Sequence, residues 1–234
     1  MPNLLDRRWG WALAAFPDAR LMYGLLQIRN HTMTSVRRAK QLWHCCLETI
    51  EKKIPGDFVE CGVWKGGSSG LMALAAEQTN KKIHLYDSFE GLPEPSEKDG
   101  TDAADYSAGA NTGHMKTIGK CVVTLTEVKK LMEEKLHIEP SRLVYHVGWF
   151  KDTLSKWPPN SIAVLRLDGD WYESTRLCLE FLYPAISAGG FIIIDDYFCW
   201  RGCALAVDEF REKYKIVEPV VRIDHDSAFW RKQL

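Results

Sequence analysis

From about residue 57 onward, short apolar runs alternate with amphipathic stretches. Residues 57–63 form a β-rich run closed by Gly66 and Gly67, and a helical stretch follows from Ser68 to about Gln78. Residues 82–87, 142–148, 162–168 and 190–195 predict four more strands, the last the most continuously apolar. Runs of this kind, separated by helices, are what a parallel sheet covered on both faces requires. Between them the 3.6-residue period predicts helices over 128–136, opened by Thr126 and Glu127, over 175–182, capped by Ser174, and over 203–214. Residues 217–223 and 228–232 predict a closing antiparallel pair around the Asp224-His225-Asp226-Ser227 turn.

Two regions fall outside this alternation. Residues 1–54 are helical in character, with Val36, Ala39, Leu42, Trp43, Cys46, Leu47 and Ile50 on one stripe, and Pro55-Gly56 punctuates the entry to the first strand. The expected organisation is therefore an amino-terminal helical arm or lid over 1–54 and a catalytic domain over 55–234. Residues 88–121 hold Pro93, Pro95, five glycines and several acids without any period. A stretch that long without structure inside a compact domain is usually a functional loop or lid.

Composition narrows the function classes. The 234 residues carry 30 Lys+Arg against 31 Asp+Glu, a formal charge of −1, so no basic excess is left to hold nucleic acid or an anionic membrane surface. No apolar run approaches the ~18 residues of a membrane-spanning helix. Pro17, Asp18 and Arg20 interrupt the apolar stretch from Trp9 to Leu26, and no small-residue cleavage site follows. The seven cysteines form no C-x-x-C pair, which reads as reduced thiols and a cytoplasmic location.

Three constellations carry chemistry. Glu60-Cys-Gly62-Val-Trp-Lys-Gly66-Gly67-Ser68 places glycines between a strand and a helix, where backbone N–H groups can approach an anionic or polar ligand; a folding role alone is the bland alternative. Asp87 ends the second strand, where nucleotide-binding βαβ units keep an acid for ribose hydroxyls, although a loop-capping aspartate reads the same way. Asp168-Gly169-Asp170 and Asp195-Asp196 end the fourth and fifth strands. Neighbouring strands lie ~4.8 Å apart, so adjacent ends can bring these carboxylates to one point. Crowded carboxylates raise one another's pKa unless a cation neutralises them, and an all-oxygen set suits Mg²⁺. In a regular strand Asp195 and Asp196 point to opposite faces, so a shared ion needs the backbone to leave strand geometry there. Capping of the following helices is the simpler reading of the same acids.

Residues 54–67, 87–93, 167–175 and 194–197, in their order along the chain, resemble the macrocin O-methyltransferase family, and the resemblance extends from about Thr32 to beyond Phe210. It implies a class I methyltransferase fold (α/β, Rossmann-like): seven strands in the order 3-2-1-4-5-7-6, only the seventh antiparallel, with extra amino-terminal helices. It implies S-adenosylmethionine as methyl donor and Mg²⁺ as metal. Glu60 and Gly62 would lie beside the methionine part of the donor, Ser68 near its carboxylate, and Asp87 with Ser88 at its ribose. Gly148, Trp149 and Phe150 would flank the adenine, and Thr32 and Met33 would close over the donor. Asp168, Asp195 and Asp196 would hold the metal, with Asp168 also beside the donor, and Asp170 would be the general base. The acceptor would be a small-molecule hydroxyl, on a sugar or other natural product.

In this scheme metal activation of the hydroxyl outweighs the base, since a free aspartate is weakly basic. His31 and His114 are alternative bases, and Trp171, Tyr172, Tyr197 and Trp200 flank the acids and could stack on an acceptor. A D-x-D glycosyltransferase is the competing enzymatic reading of 168–170, and a non-catalytic binding module the third. The apolar amino-terminal helices suggest a homo-oligomer.

Overall fold

A computed structural model of the chain describes residues 19–156 and 158–233. Its strands are β1 (Asp57–Cys61), β2 (Ile83–Asp87), β3 (Leu143–Val147), β4 (Ile162–Leu167), β5 (Ile186–Ile194), β6 (Val221–Arg222) and β7 (Ala228–Arg231). They form one sheet in the order β3-β2-β1-β4-β5-β7-β6. Strands β1 to β5 pair in parallel, and β7 runs antiparallel to both β5 and β6. This is the expected order.

Successive residues of the central strands serve opposite layers, as the two-residue period dictates. Phe58, Ile83, Leu85, Val164 and Ile193 bury themselves under α1 (Ala19–Ile28), α2 (Val36–Glu51), α3 (Gly67–Ala75) and the segment around α5 (Leu125–Lys129), which follows α4 (Gly100–Tyr106). Val59, Tyr86, Leu165, Ile192 and Ile194 face the other layer. There α7 (Tyr172–Leu182) and α8 (Arg201–Lys213) pack, after the short α6 (Phe150–Thr153).

The amino-terminal helices share the core of the sheet. Leu21, Leu25 and Ile28, spaced for one helix face, are buried with Ala39, Leu42, Trp43 and Cys46 of α2 against α3. The stripe that suggested self-association is thus covered within the chain, and α1 leaves Tyr23 and Leu26 as its exposed large apolar side chains. The expectations for residues 1–18 lie outside the described residues. All seven cysteines are free thiols, five of them buried. Among the described residues no helix is long and apolar enough to cross a membrane.

Several boundaries differ from expectation for identifiable reasons. Thr124, not Thr126, starts α5, because its side chain and Glu127 form a reciprocal capping box, and the helix continues as a π turn over Lys130–Lys135. Ser174 is not a cap. Helix α7 begins at Tyr172, whose N–H is taken by Asp99 from far along the chain, and Ser174 lies buried in its first turn. Strand β5 starts earlier, at Ile186, and β6 is only two residues long. Residues 88–121 are not structureless: they carry a 3₁₀ turn at Glu97–Asp99, then α4, and a bridge between Pro93 and Thr117.

Candidate active site

Most of the expected site residues lie at the carboxyl ends of β1, β2, β4 and β5, around the crevice where the strand order reverses, joined by Trp149 and Phe150 after β3 and by Thr32 and Met33 after α1. Gly62 follows β1 at φ +86°, and a Cβ there would fall 1.8 Å from the Asp168 carbonyl oxygen. Only glycine lets this turn pass so close to the end of β4. Asp87 organises the same turn. Its Oδ2 accepts from the N–H groups of Val63 at 2.7 Å and Trp64 at 3.0 Å, and its Oδ1 from Phe89 at 2.7 Å. Burial pushes the Asp87 carboxyl up, and these three N–H donors oppose that push.

A cleft opens beside this turn, lined by Met33, Gly62, Asp87, Ser88, Trp149 and Phe150 among others. Gly148 is not among the lining residues; at φ +133° it turns the chain and donates its N–H to the Asp87 carbonyl at 2.9 Å.

A second cavity shares Met33, Trp64, Cys121, Asp168 and Asp170 with the first. Thr32 and Ser68 line it, and the segment between α1 and α2 passes close enough for the His31 carbonyl to accept from Gly67 N–H at 2.9 Å. Asp168, Asp195 and Asp196 each bring a carboxylate oxygen to within 4.8 Å of the other two. They can do so because Leu167 pairs with Ile194 and β5 ends there, which frees Asp195 and Asp196 from strand alternation.

Two arginines stand among these acids. Arg166 Nη1 lies 2.8 Å from Asp168 Oδ2 and also meets Glu60, while its Nη2 lies 2.6 Å from Asp195 Oδ1 and donates to Thr34 Oγ1 at 3.1 Å. Arg38 Nη1 lies 2.7 Å from Asp195 Oδ2, and the same guanidinium holds Asp224 and Asp226. Five acids, Glu60, Asp168, Asp170, Asp195 and Asp196, still outnumber the two cations, and Asp196 Oδ2 is buried without a hydrogen-bond partner. Burial and the neighbouring Asp170 and Asp168 drive the Asp196 carboxyl far above the usual carboxylate range. This all-oxygen donor set, with more carboxyl groups than cations and an orphaned buried oxygen, fits a hard divalent cation.

Glu60 is fully buried on β1 and lines neither cavity; it accepts from Ser69 and Arg166 and reaches the acidic cluster through that guanidinium. Burial pushes its carboxyl up to about 7. Asp170 sits at φ +57° and lines both cavities, and its Oδ1 accepts from Trp200 Nε1 at 2.9 Å. Burial, then Asp168, pushes Asp170 up to about 8. His31 lines the second cavity, where burial lowers its pKa; His114 is exposed and lines neither.

Of the four flanking aromatics, Trp200 lines the cavity. Trp171 is buried and donates Nε1 to the Pro93 carbonyl, while Tyr172 and Tyr197 donate their hydroxyls to Glu209 and Asp208. Tyr106 of α4 also walls the cavity, its ring centroid 5.6 Å from that of Trp200. Arg38, Arg166 and Tyr106 are absent from the sequence-derived set. A lone charge inside the apolar 162–167 run was a signal for Arg166, because a buried charge must be paired.

The family model described as macrocin-O-methyltransferase matches residues 27–232. Demethyldecarbamoylnovobiocin O-methyltransferase of Streptomyces niveus is 36% identical over 211 residues, covering 86% of this chain and 76% of that protein. Mycinamicin III 3''-O-methyltransferase of Micromonospora griseorubida is 33% identical over 212 residues, covering 86% and 78%. The structure of the O-methyltransferase NovP superposes with a TM-score of 0.77 at 34% identity, over 87% of this chain and 83% of that one. The calicheamicin methyltransferase CalS11, at a TM-score of 0.65, 20% identity and coverage of 96% and 90%, shares the fold.

Proposed function

The chain belongs to the macrocin O-methyltransferase family, and on that footing we propose that it moves the methyl group of S-adenosylmethionine to a sugar hydroxyl of a natural product, in a Mg²⁺-dependent reaction. The observation that carries this reading is the pair of joined cavities, one around Asp87 and the other around Asp168, Asp195 and Asp196, with Asp168 and Asp170 on the wall they share. A D-x-D glycosyltransferase would leave the glycine turn and Asp87 unused, and an O-methyltransferase family does not support it. A scaffold would keep the crowded acids at a cost with no return.

The donor would lie in the first cleft and reach into the second cavity, which Thr32 and Ser68 line. Asp87 would take the ribose with Ser88 beside it, Trp149 and Phe150 would flank the adenine, and Gly62 and Ser68 would border the methionine end, over which Thr32 and Met33 would close. Asp168, Asp195 and Asp196 are the residues that would hold Mg²⁺, which when bound lowers the pKa of an acceptor hydroxyl and fixes its direction. Arg38 and Arg166 hold Asp195 from both sides and keep the carboxylates aligned. Asp170, fixed by Trp200, takes the proton of the acceptor hydroxyl. Alignment of that oxygen with the methyl group removes much of the entropic barrier. Trp200 and Tyr106 supply aromatic faces to the acceptor.

Calorimetric titration with S-adenosylhomocysteine and then with a uridine diphosphate sugar, each with and without Mg²⁺, tests the reading. Binding of the first alone is expected. Binding of the second alone would return the D-x-D glycosyltransferase, and binding of neither would leave the scaffold.

A further inference from the structure

Residues 88–121 are fastened to the start of α7 through a buried carboxylate to which no catalytic part has been given. Asp99 is 2% exposed. Its Oδ1 accepts from Tyr172 N–H at 2.6 Å, and its Oδ2 accepts from the N–H of Ser96 at 2.7 Å and the Ser96 hydroxyl at 2.8 Å. Helix α8 crowds the same carboxylate: a Cβ at position 202 would fall 1.9 Å from Asp99 Oδ1, so glycine at 202 makes the room.

Helices α7 and α8 both begin without a cap of their own, because Trp171 and Trp200 stand at the capping positions and make no side-chain bond there. A helix start carries unpaired N–H groups and a positive partial charge. Asp99 supplies a negative charge to two such starts and an acceptor to one of them. Helix α7 leaves the turn that carries Asp168 and Asp170, and α8 follows the turn that carries Asp195 and Asp196. The Trp171 indole N–H on the Pro93 carbonyl at 2.9 Å, and Lys98 Nζ 3.8 Å over the Tyr172 ring, tie the same two segments together.

We propose that Asp99 is a positioning residue of the acceptor side: a shared cap, supplied from a distant segment, that fixes the helices leaving the acidic strand ends and holds α4, with Tyr106, over the second cavity. Its bearing on acceptor binding rests on the methyl-transfer reading above; the clamp itself does not.

Amide hydrogen exchange and iodoacetamide labelling of the full chain, with S-adenosylhomocysteine calorimetry, test this. In Asp99→Ala the Tyr172 amide and the amides of 100–106 exchange about tenfold faster or more. Cys121, partly buried beside Tyr106, is alkylated faster by a similar factor, while S-adenosylhomocysteine affinity changes by less than about threefold. Asp99→Asn separates the two halves. Its carbonyl oxygen still accepts from Tyr172, but its amide faces the Ser96 N–H donor to donor, so Tyr172 stays protected while 100–106 and Cys121 open. A loss of stability at large would move every readout together. Unchanged protection of 100–106 in both variants overturns the proposal, as does Asp99→Asn matching Asp99→Ala at Tyr172. If Asp99→Ala does not fold, Asp99→Asn decides alone, by whether 100–106 open while Tyr172 stays closed. Wild-type protein that fails to bind S-adenosylhomocysteine counts against the methyl-transfer reading and leaves the exchange results standing.

Discussion

Trp200 Nε1 lies 2.9 Å from Asp170 Oδ1, so an aromatic wall of the second cavity also restrains the proposed base. A hydrogen bond donated to a carboxylate favours its charged form. Trp200→Phe keeps most of the ring and removes the donor, so the Asp170 pKa rises and the acid limb of the kcat–pH profile moves to higher pH. Turnover at neutral pH falls by about tenfold and recovers in part in more alkaline buffer. An acid limb that stays in place would show that Trp200 contributes only packing.

Divalent cation binding is expected to raise thermal stability, because it relieves repulsion among Asp168, Asp195 and Asp196 and gives the buried Asp196 Oδ2 a partner. At a hundred times its dissociation constant a ligand specific for the folded state adds about 2.7 kcal/mol. For a chain of this size that corresponds to roughly 5–10 °C in Tm. Scanning calorimetry with Mg²⁺ and then with excess chelator reads the shift. Asp196→Asn should abolish it, and an equal shift in that variant would place the cation elsewhere.

The five parallel strands were readable because apolar runs mark them, while their order came from the family resemblance and not from the pattern; the acids were readable because they close those runs. The local patterns failed where the partner is distant in sequence. Ser174 looked like a cap for want of any sign that Asp99 would take the Tyr172 N–H. Arg38 lies 157 positions from Asp195, and nothing local in the 36–51 pattern marks it as a partner of the acidic cluster. Tyr106 sits in a stretch whose glycines and prolines hide a short helix. Trp171, Tyr172 and Tyr197 were placed beside the acids correctly in sequence, but backbone direction turns them into the packing layer.

The relative weight of metal and base is open to a direct comparison. Asp168 touches Arg166 and closes the acidic triad, while Asp170 stands two residues on at the edge of both cavities. Asp168→Ala should lower kcat by more than Asp170→Asn, because loss of the cation removes both activation and orientation of the hydroxyl, whereas loss of a general base typically costs about 10²–10⁴-fold. Single-turnover rates at saturating S-adenosylmethionine separate the two. Near-normal turnover in Asp168→Ala beside an inactive Asp170→Asn would reverse the ranking.

Arg166 and Glu60 occupy paired positions on β4 and β1, both buried, and the guanidinium continues to Asp168 and Asp195. Removing one partner of a buried ion pair strands the other, at about 3–5 kcal/mol. Arg166→Met should therefore destabilise the fold far more than Glu60→Gln, since the amide still accepts from Ser69 and Arg166 keeps two other carboxylates. The double variant should be more stable than Arg166→Met alone. The pH dependence follows from Glu60, which burial lifts to about 7 despite the arginine. A carboxyl raised above its unfolded value contributes stability that is complete below the unfolded pKa, near 4.5, and lost as pH rises through the folded one. Without the Arg166 charge that folded pKa climbs further, so Arg166→Met should be weakest in alkaline buffer and regain stability toward pH 5, where Glu60 is neutral. Urea unfolding of the wild type and the three variants across that range measures both effects, and a double variant no more stable than Arg166→Met would show that the stranded charge lies on Asp168 or Asp195 rather than on Glu60.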